Sequence, residues 1–138
     1  MVVTSRSAER RERALALGAT AAVETGARVP RVDLVLESVG RATWSHSVRS
    51  VRPGGTIVVA GATSGDAEQA ELQRIFFQEI SVLGTTMGSR DDLQHLLAFL
   101  ARTGLRPLVD STFPLVRAAE ALGRLAAGDQ FGKIVLEP

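Results

Sequence analysis

Apolar residues recur along this chain in two alternating rhythms, short near-continuous runs and helical spacings of three and four. Val2-Val3 forms the first run. Ser7 then stands where its hydroxyl can accept an orphan amide, predicting a helix over Ala8 to Leu17, and Gly18 suits the left-handed residue that closes one. Ala21 to Val23 reads as a short strand and Thr25 to Pro30 as a surface loop. In the next strand, Val32 to Val39, the residues Val32, Leu34, Val35 and Leu36 leave few polar positions, which predicts a central parallel strand with both faces covered.

From Arg41 to Val51 the spacing changes. Trp44, Val48 and Val51 fall at i, i+4 and i+7, one face of a helix. Arg52-Pro53-Gly54-Gly55 predicts a tight turn into the strand Thr56 to Ala60, because proline fixes its backbone angle and glycine allows positive ones. That strand runs out into Gly61-Ala62-Thr63-Ser64-Gly65, a small-residue loop at the end of a parallel strand, where open α/β sheets place ligands. A helix over Glu68 to Phe77 and a strand over Ile80 to Thr86 follow. Ser89 with Asp92 has capping-box spacing, Leu93, Leu96, Leu97 and Leu100 share one helical face, and Gly104 ends it. Pro107 to Phe113 is extended, Pro114 suits a first helical position before Ala118, Ala119, Leu122 and Leu125, and Lys133 to Leu136 is the last strand. Strands alternating with helices predict a mostly parallel α/β fold.

Composition narrows the function. With 138 residues, 45% of them hydrophobic, residues 1–138 are expected to form a single domain. Sixteen basic against 15 acidic residues give a net charge of +1, so no nucleic-acid or membrane partner is expected. No apolar run approaches the roughly 20 residues of a spanning helix, and a cytoplasmic setting is the default expectation. There is no cysteine, which removes disulfides and thiolate metal ligands.

Five segments in order resemble the C-terminal part of the medium-chain dehydrogenase/reductase family, which includes zinc-type alcohol dehydrogenases and zinc-free quinone oxidoreductases. They are Ala16-Leu17-Gly18-Ala19, Asp33 to Gly40, Arg52-Pro53-Gly54-Gly55, Phe113-Pro114 before Ala118-Ala119-Glu120-Ala121, and Phe131-Gly132-Lys133-Ile134-Val135-Leu136. The resemblance implies a Rossmann-like sheet with helices on both faces and a nicotinamide dinucleotide across the strand ends. It implies that the first βα unit, with its glycine-rich phosphate loop, is missing ahead of Val2-Val3, and that the catalytic domain is absent too. The chain is then expected to be inactive alone, as the NADP(H)-binding portion of an oxidoreductase acting on alcohols, aldehydes, ketones or quinones.

The same resemblance assigns residues. Ser5, followed by Arg6, matches the strand end that carries an acidic residue when the family holds the ribose of NAD. A hydroxyl and a guanidinium can instead bind a 2′-phosphate, so NADP is favoured over NAD. Ser38, Val39 and Gly40 match the segment beside the adenosine and ribose. Ala60, Gly61 and Ala62, with Thr85, Thr86 and Met87, match the two segments that line the nicotinamide, and Lys133 matches a basic position near the cofactor. No residue is assigned to catalysis, and His46 and His95, the two histidines, lack the spacing of a zinc site, so no zinc is expected on this chain.

With strand order 3-2-1-4-5-6 the missing strand would lie between Val2-Val3 and Val32 to Val39. Unpaired buried backbone groups cost about 1–3 kcal/mol each, so the gap predicts a repair. Val2-Val3 would shift beside Val32 to Val39, Lys133 to Leu136 would fill the slot, or two chains would exchange strands. The resemblance also implies a homo-oligomer, joined through edge strands in the region of Ile80 to Thr86 and Pro107 to Phe113. Two further readings remain, a non-enzymatic nucleotide-binding or oligomerisation module that keeps the fold, and another α/β enzyme such as a methyltransferase.

Overall fold

In the computed structural model, which describes residues 1–138, the chain opens with β1 (Val2–Thr4), α1 (Ala8–Ala16) and β2 (Ala21–Val23). Ser7 is extended and its hydroxyl accepts the Arg10 amide at 3.3 Å, the cap expected from sequence. Gly18 follows with φ +98°, and β1 and β2 pair in parallel.

Next come β3 (Val32–Glu37), α2 (Trp44–Ser50), β4 (Val51–Val59), α3 (Leu72–Phe77) and β5 (Ser81–Gly84). The three strands form one parallel ladder in the order β3-β4-β5, with Val35 opposite Ile57 and Ile57 opposite Val82. The core of this ladder is Val48, Val51, Ile57 and Ile80, against which Val35, Trp44, Val59 and Ile75 pack. Val48, Val51 and Ile57 are fully buried, each stabilising the fold by about 1.5–3 kcal/mol. The helical face read from Trp44, Val48 and Val51 therefore exists, although Val51 has already left the helix for β4.

The Arg52 to Gly55 segment is a bulge within β4 rather than a free turn. Val51 pairs with Val32 and pairing resumes at Thr56 with Leu34, so the four residues 52–55 face the single residue Asp33. Pro53 has no amide to place in a ladder, Gly54 takes φ +70°, and the Gly54 N–H donates to the Gln78 carbonyl at 2.8 Å. α3 is shorter than the predicted helix because Glu71, left-handed at φ 56°, immediately precedes it.

The backbone contacts divide the chain at residue 87, and residues 88–138 form a second compact unit. Its α4 (Arg90–Thr103) carries the predicted capping box, with the Ser89 hydroxyl accepting the Asp92 amide and the Asp92 carboxylate accepting the Ser89 amide. Gly104 ends the helix at φ +70°. Parallel strands β6 (Val109–Pro114) and β7 (Lys133–Glu137) flank a single 3₁₀ turn, Leu115–Arg117, and α5 (Ala118–Ala127). Pro114 ends the strand rather than opening the helix.

Two of the expected repairs do not occur. β1 pairs with β2 alone, β7 pairs with β6, and the β3 edge away from β4 carries no strand. The premise that this edge is buried is what fails. Leu34 and Leu36 on β3 are 52% and 77% exposed, so water reaches this strand and the full desolvation penalty of a buried unpaired group is not incurred.

Candidate functional site at the strand ends

β3 ends in a carboxylate, Glu37, that is only 3% exposed. A buried charge needs partners, and the chain supplies four. Oε1 accepts the Val39 amide at 2.7 Å, the Gly40 amide at 3.0 Å and the Thr43 hydroxyl at 2.8 Å, while Oε2 accepts a very short hydrogen bond from the Ser47 hydroxyl. Burial pushes the Glu37 carboxyl up, but the bonds from Ser47, Gly40, Val39 and Thr43 outweigh it and hold the group below its ordinary value. The result is an anion fixed under the Ser38-Val39-Gly40 turn.

A second set of bonds ties that turn to the loop after β4. The Ala60 amide donates to the Glu37 carbonyl at 2.7 Å and the Ser64 amide to the Val39 carbonyl at 2.8 Å, the latter oxygen also accepting the Ser64 hydroxyl at 2.6 Å. In return, the Arg41 amide donates to the Gly65 carbonyl at 2.9 Å. Gly40 makes this approach possible. It sits at φ +85°, and a Cβ there would run into the Gly65 carbonyl and lie 2.9 Å from the Ala62 Cβ. Gly61 is packed less tightly, its Cβ meeting the Ser38 carbonyl at 3.2 Å, a contact that a shift of a few tenths of an ångström would relieve.

The structure thus brings together six of the residues expected from sequence, Ser38, Val39 and Gly40 from one strand end and Ala60, Gly61 and Ala62 from the next. Thr85 joins them through its amide, which donates to the Val59 carbonyl at 2.9 Å and continues the ladder. Thr86 and Met87 are exposed just beyond, with Met87 91% exposed. The Ala60 and Thr85 amides are committed to the ladder, whereas the Gly61 and Ala62 amides meet no acceptor within the chain. A ligand amide or phosphate could use them.

Ser5 and Arg6 follow β1. The Ser5 amide donates to the Val23 carbonyl at 3.0 Å, and the Ser5 hydroxyl accepts the Ser7 amide at 3.3 Å. Arg11 braces the same bend by donating to the Ser5 and Arg6 carbonyls at 2.7 and 3.2 Å. The Arg6 side chain is exposed. Lys133 opens β7 in the second unit, exposed at the start of the strand.

Sequence reasoning placed Ser64 and Gly65 only in the ligand-side loop and assigned no role to Glu37, Thr43 or Ser47. A signal existed for these three: an acidic residue closing an apolar strand, with hydroxyl residues six and ten positions later on the following turn and helix.

A family model described as a zinc-binding dehydrogenase matches residues 14–136. The chain belongs to that family. Among relatives of the zinc-binding dehydrogenases, an alcohol dehydrogenase of Geobacillus stearothermophilus is 33% identical over 100 residues, covering 72% of this chain and 29% of its own length. A quinone oxidoreductase of Pseudomonas aeruginosa is 33% identical over 118 residues, covering 78% and 36%. A crystal structure described as an NAD-dependent alcohol dehydrogenase superposes with a TM-score of 0.89 at 30% identity, covering 99% of this chain and 43% of the other. The chain therefore spans roughly a third of the length of these curated relatives, and its fold is the Rossmann-like α/β fold of these dehydrogenases.

The metal in the family's description does not fit the residues of this chain. It has no cysteine, and nowhere do three or more His, Asp or Glu side chains gather where they could hold an ion. His46 is already used, its Nε2 donating to the Ala27 carbonyl at 2.8 Å, and His95 lies exposed on α4. No helix is long and apolar enough to cross a membrane.

Proposed function

We propose that this chain is the NADP(H)-binding portion of a medium-chain oxidoreductase, whose hydride transfer to or from an alcohol, aldehyde, ketone or quinone requires protein beyond these residues. The observation that carries the reading is the pair of strand ends, Ser38 to Gly40 and Ala60 to Ala62, locked side by side around the buried Glu37 carboxylate. Small residues there keep side chains out of the way, and the Gly61 and Ala62 amides remain available to a ligand. When bound, the nicotinamide supplies or accepts the hydride. This chain's residues would bind and orient it: Ser38, Val39 and Gly40 toward the ribose side, and Ala60, Gly61, Ala62, Thr85, Thr86 and Met87 toward the nicotinamide. No catalytic residue is assigned.

The preference for NADP rests on Ser5 and Arg6. A carboxylate at that strand end would repel a 2′-phosphate, whereas an exposed guanidinium beside a hydroxyl attracts it. The relative described as NAD-dependent makes this the sharpest point of difference to test. Thermal unfolding followed with NADPH or NADH should show a larger upward shift with NADPH, reduced by Arg6→Ala. Equal shifts with both nucleotides, unchanged in Arg6→Ala, would remove the assignment.

A homo-oligomer is part of the same proposal. The unpaired β3 edge, with Leu34 and Leu36 exposed beside it, is open to a strand from a second copy. That edge also favours the second reading, an oligomerising nucleotide-binding module without chemistry of its own. Joining the chain to the catalytic portion of a zinc-binding dehydrogenase relative and adding NADPH separates them, since only the first reading predicts turnover.

A further inference from the structure

A cavity of about 830 Å³ lies at the opposite end of the β3-β4 ladder from the strand ends just described. Its walls come from residues 26–31, which lead into β3, and from the last turns of α2, which lead into β4, so it sits where the strands begin. Arg28, Arg31, Arg49 and Arg74 all line it, and no acidic residue does. A quarter of the chain's 16 basic residues thus meet in one cavity of a protein whose net charge is only +1.

Two of the four guanidiniums are already held. Arg31 donates to the Gln78 side chain at 3.3 Å, and Arg74 pairs with Glu71 at 3.5 Å, a carboxylate outside the lining. Arg28 and Arg49 are exposed and have no partner in the chain. His46 adds a wall whose orientation is fixed, since its Nε2 donates to the Ala27 carbonyl. Like charges brought together raise each other's energy, and a multivalent anion relieves that repulsion while using the forked donors.

From this we infer that the cavity binds a small phosphate-bearing anion of at least two charges, a diphosphate group being the fit for two uncommitted guanidiniums. The site is separate from the proposed dinucleotide site and stands independently of it. Arginine is the side chain for this task, because its planar fork makes paired hydrogen bonds to phosphate oxygens where lysine offers a point charge.

The test is calorimetric titration of the 138-residue chain in low-salt buffer with inorganic pyrophosphate, and in parallel with ADP. One saturable site is expected, weakened about a hundredfold in Arg28→Gln/Arg49→Gln, since each of the two lost charge-assisted bonds is worth about a factor of ten. Both positions are exposed, so the variant should keep the native circular dichroism spectrum. Arg90→Gln/Arg106→Gln, the same charge change in the other unit, should bind as the parent does. Tighter binding of ADP would identify a nucleoside diphosphate as the occupant, and equal or tighter binding of pyrophosphate an inorganic one. The proposal is overturned if neither probe saturates, or if the two double variants lose affinity equally.

Discussion

The Glu37 carboxylate accepts the amide of Gly40, three residues downstream, at 3.0 Å. This one contact joins a buried anion to the glycine that lets two strand-end loops touch, so stability and the candidate site share a hinge point.

Glu37→Ala should therefore be among the most damaging single changes in residues 1–87. It leaves the Val39 and Gly40 amides and the Thr43 and Ser47 hydroxyls without their acceptor. A loss of about 2–4 kcal/mol is expected in urea unfolding. Glu37→Gln keeps the volume and one acceptor oxygen, and should cost less.

Stability should also depend on pH through the same group. The folded Glu37 carboxyl lies below its ordinary value, so folding favours the ionised form. Its contribution is complete above the unfolded carboxyl's value of about 4.3 and is lost as pH falls below that through the lower folded value. Glu37→Gln should flatten the acid limb of a stability-against-pH curve. An unchanged limb would mean that other carboxylates, such as Asp33 beside Arg52, dominate it.

Gly40→Ala and Gly18→Ala make a matched pair. Both residues have positive φ, 85° and 98°, but an added Cβ at Gly18 meets open space while one at Gly40 strikes the Gly65 carbonyl and Ala62. Gly18→Ala should cost about 1 kcal/mol from backbone strain alone. Gly40→Ala should cost at least about 1 kcal/mol more and should lower nucleotide affinity as well.

In the second unit, Ser89→Ala removes the hydroxyl that accepts the Asp92 amide and opens the capping box. A cost of about 1 kcal/mol is expected, read as faster amide exchange in the first turn of α4. Exchange in β3 and β4 should not change.

Local signals were the legible ones. Ser7, Ser89, Asp92 and Gly104 each act within a few residues of themselves, and each does in space what its spacing predicts. The strand ends were placed by resemblance to a family, and the hydrogen bonds between Ser38 to Gly40 and Ala60 to Gly65 give that placement its geometry. Long-range chemistry was hidden. Glu37 reads as one more strand residue until Thr43 and Ser47 fold back on it. Arg52 to Gly55 reads as a turn because its residues are turn formers, whereas pairing on both sides, at Val51 and Thr56, makes it a bulge. The arginines around His46 are scattered in sequence from 28 to 74, and only the loop and helix ends bring them to one cavity.

The central claim is that a nicotinamide dinucleotide lies across the ends of β3 and β4, and amide NMR of the isotope-labelled chain titrated with millimolar NADPH tests it most directly. The account predicts saturable shifts concentrated at Gly40, Gly61, Ala62 and Thr85, with smaller shifts at Arg6. Absence of shifts at these residues while others move, or no saturation at all, would contradict it.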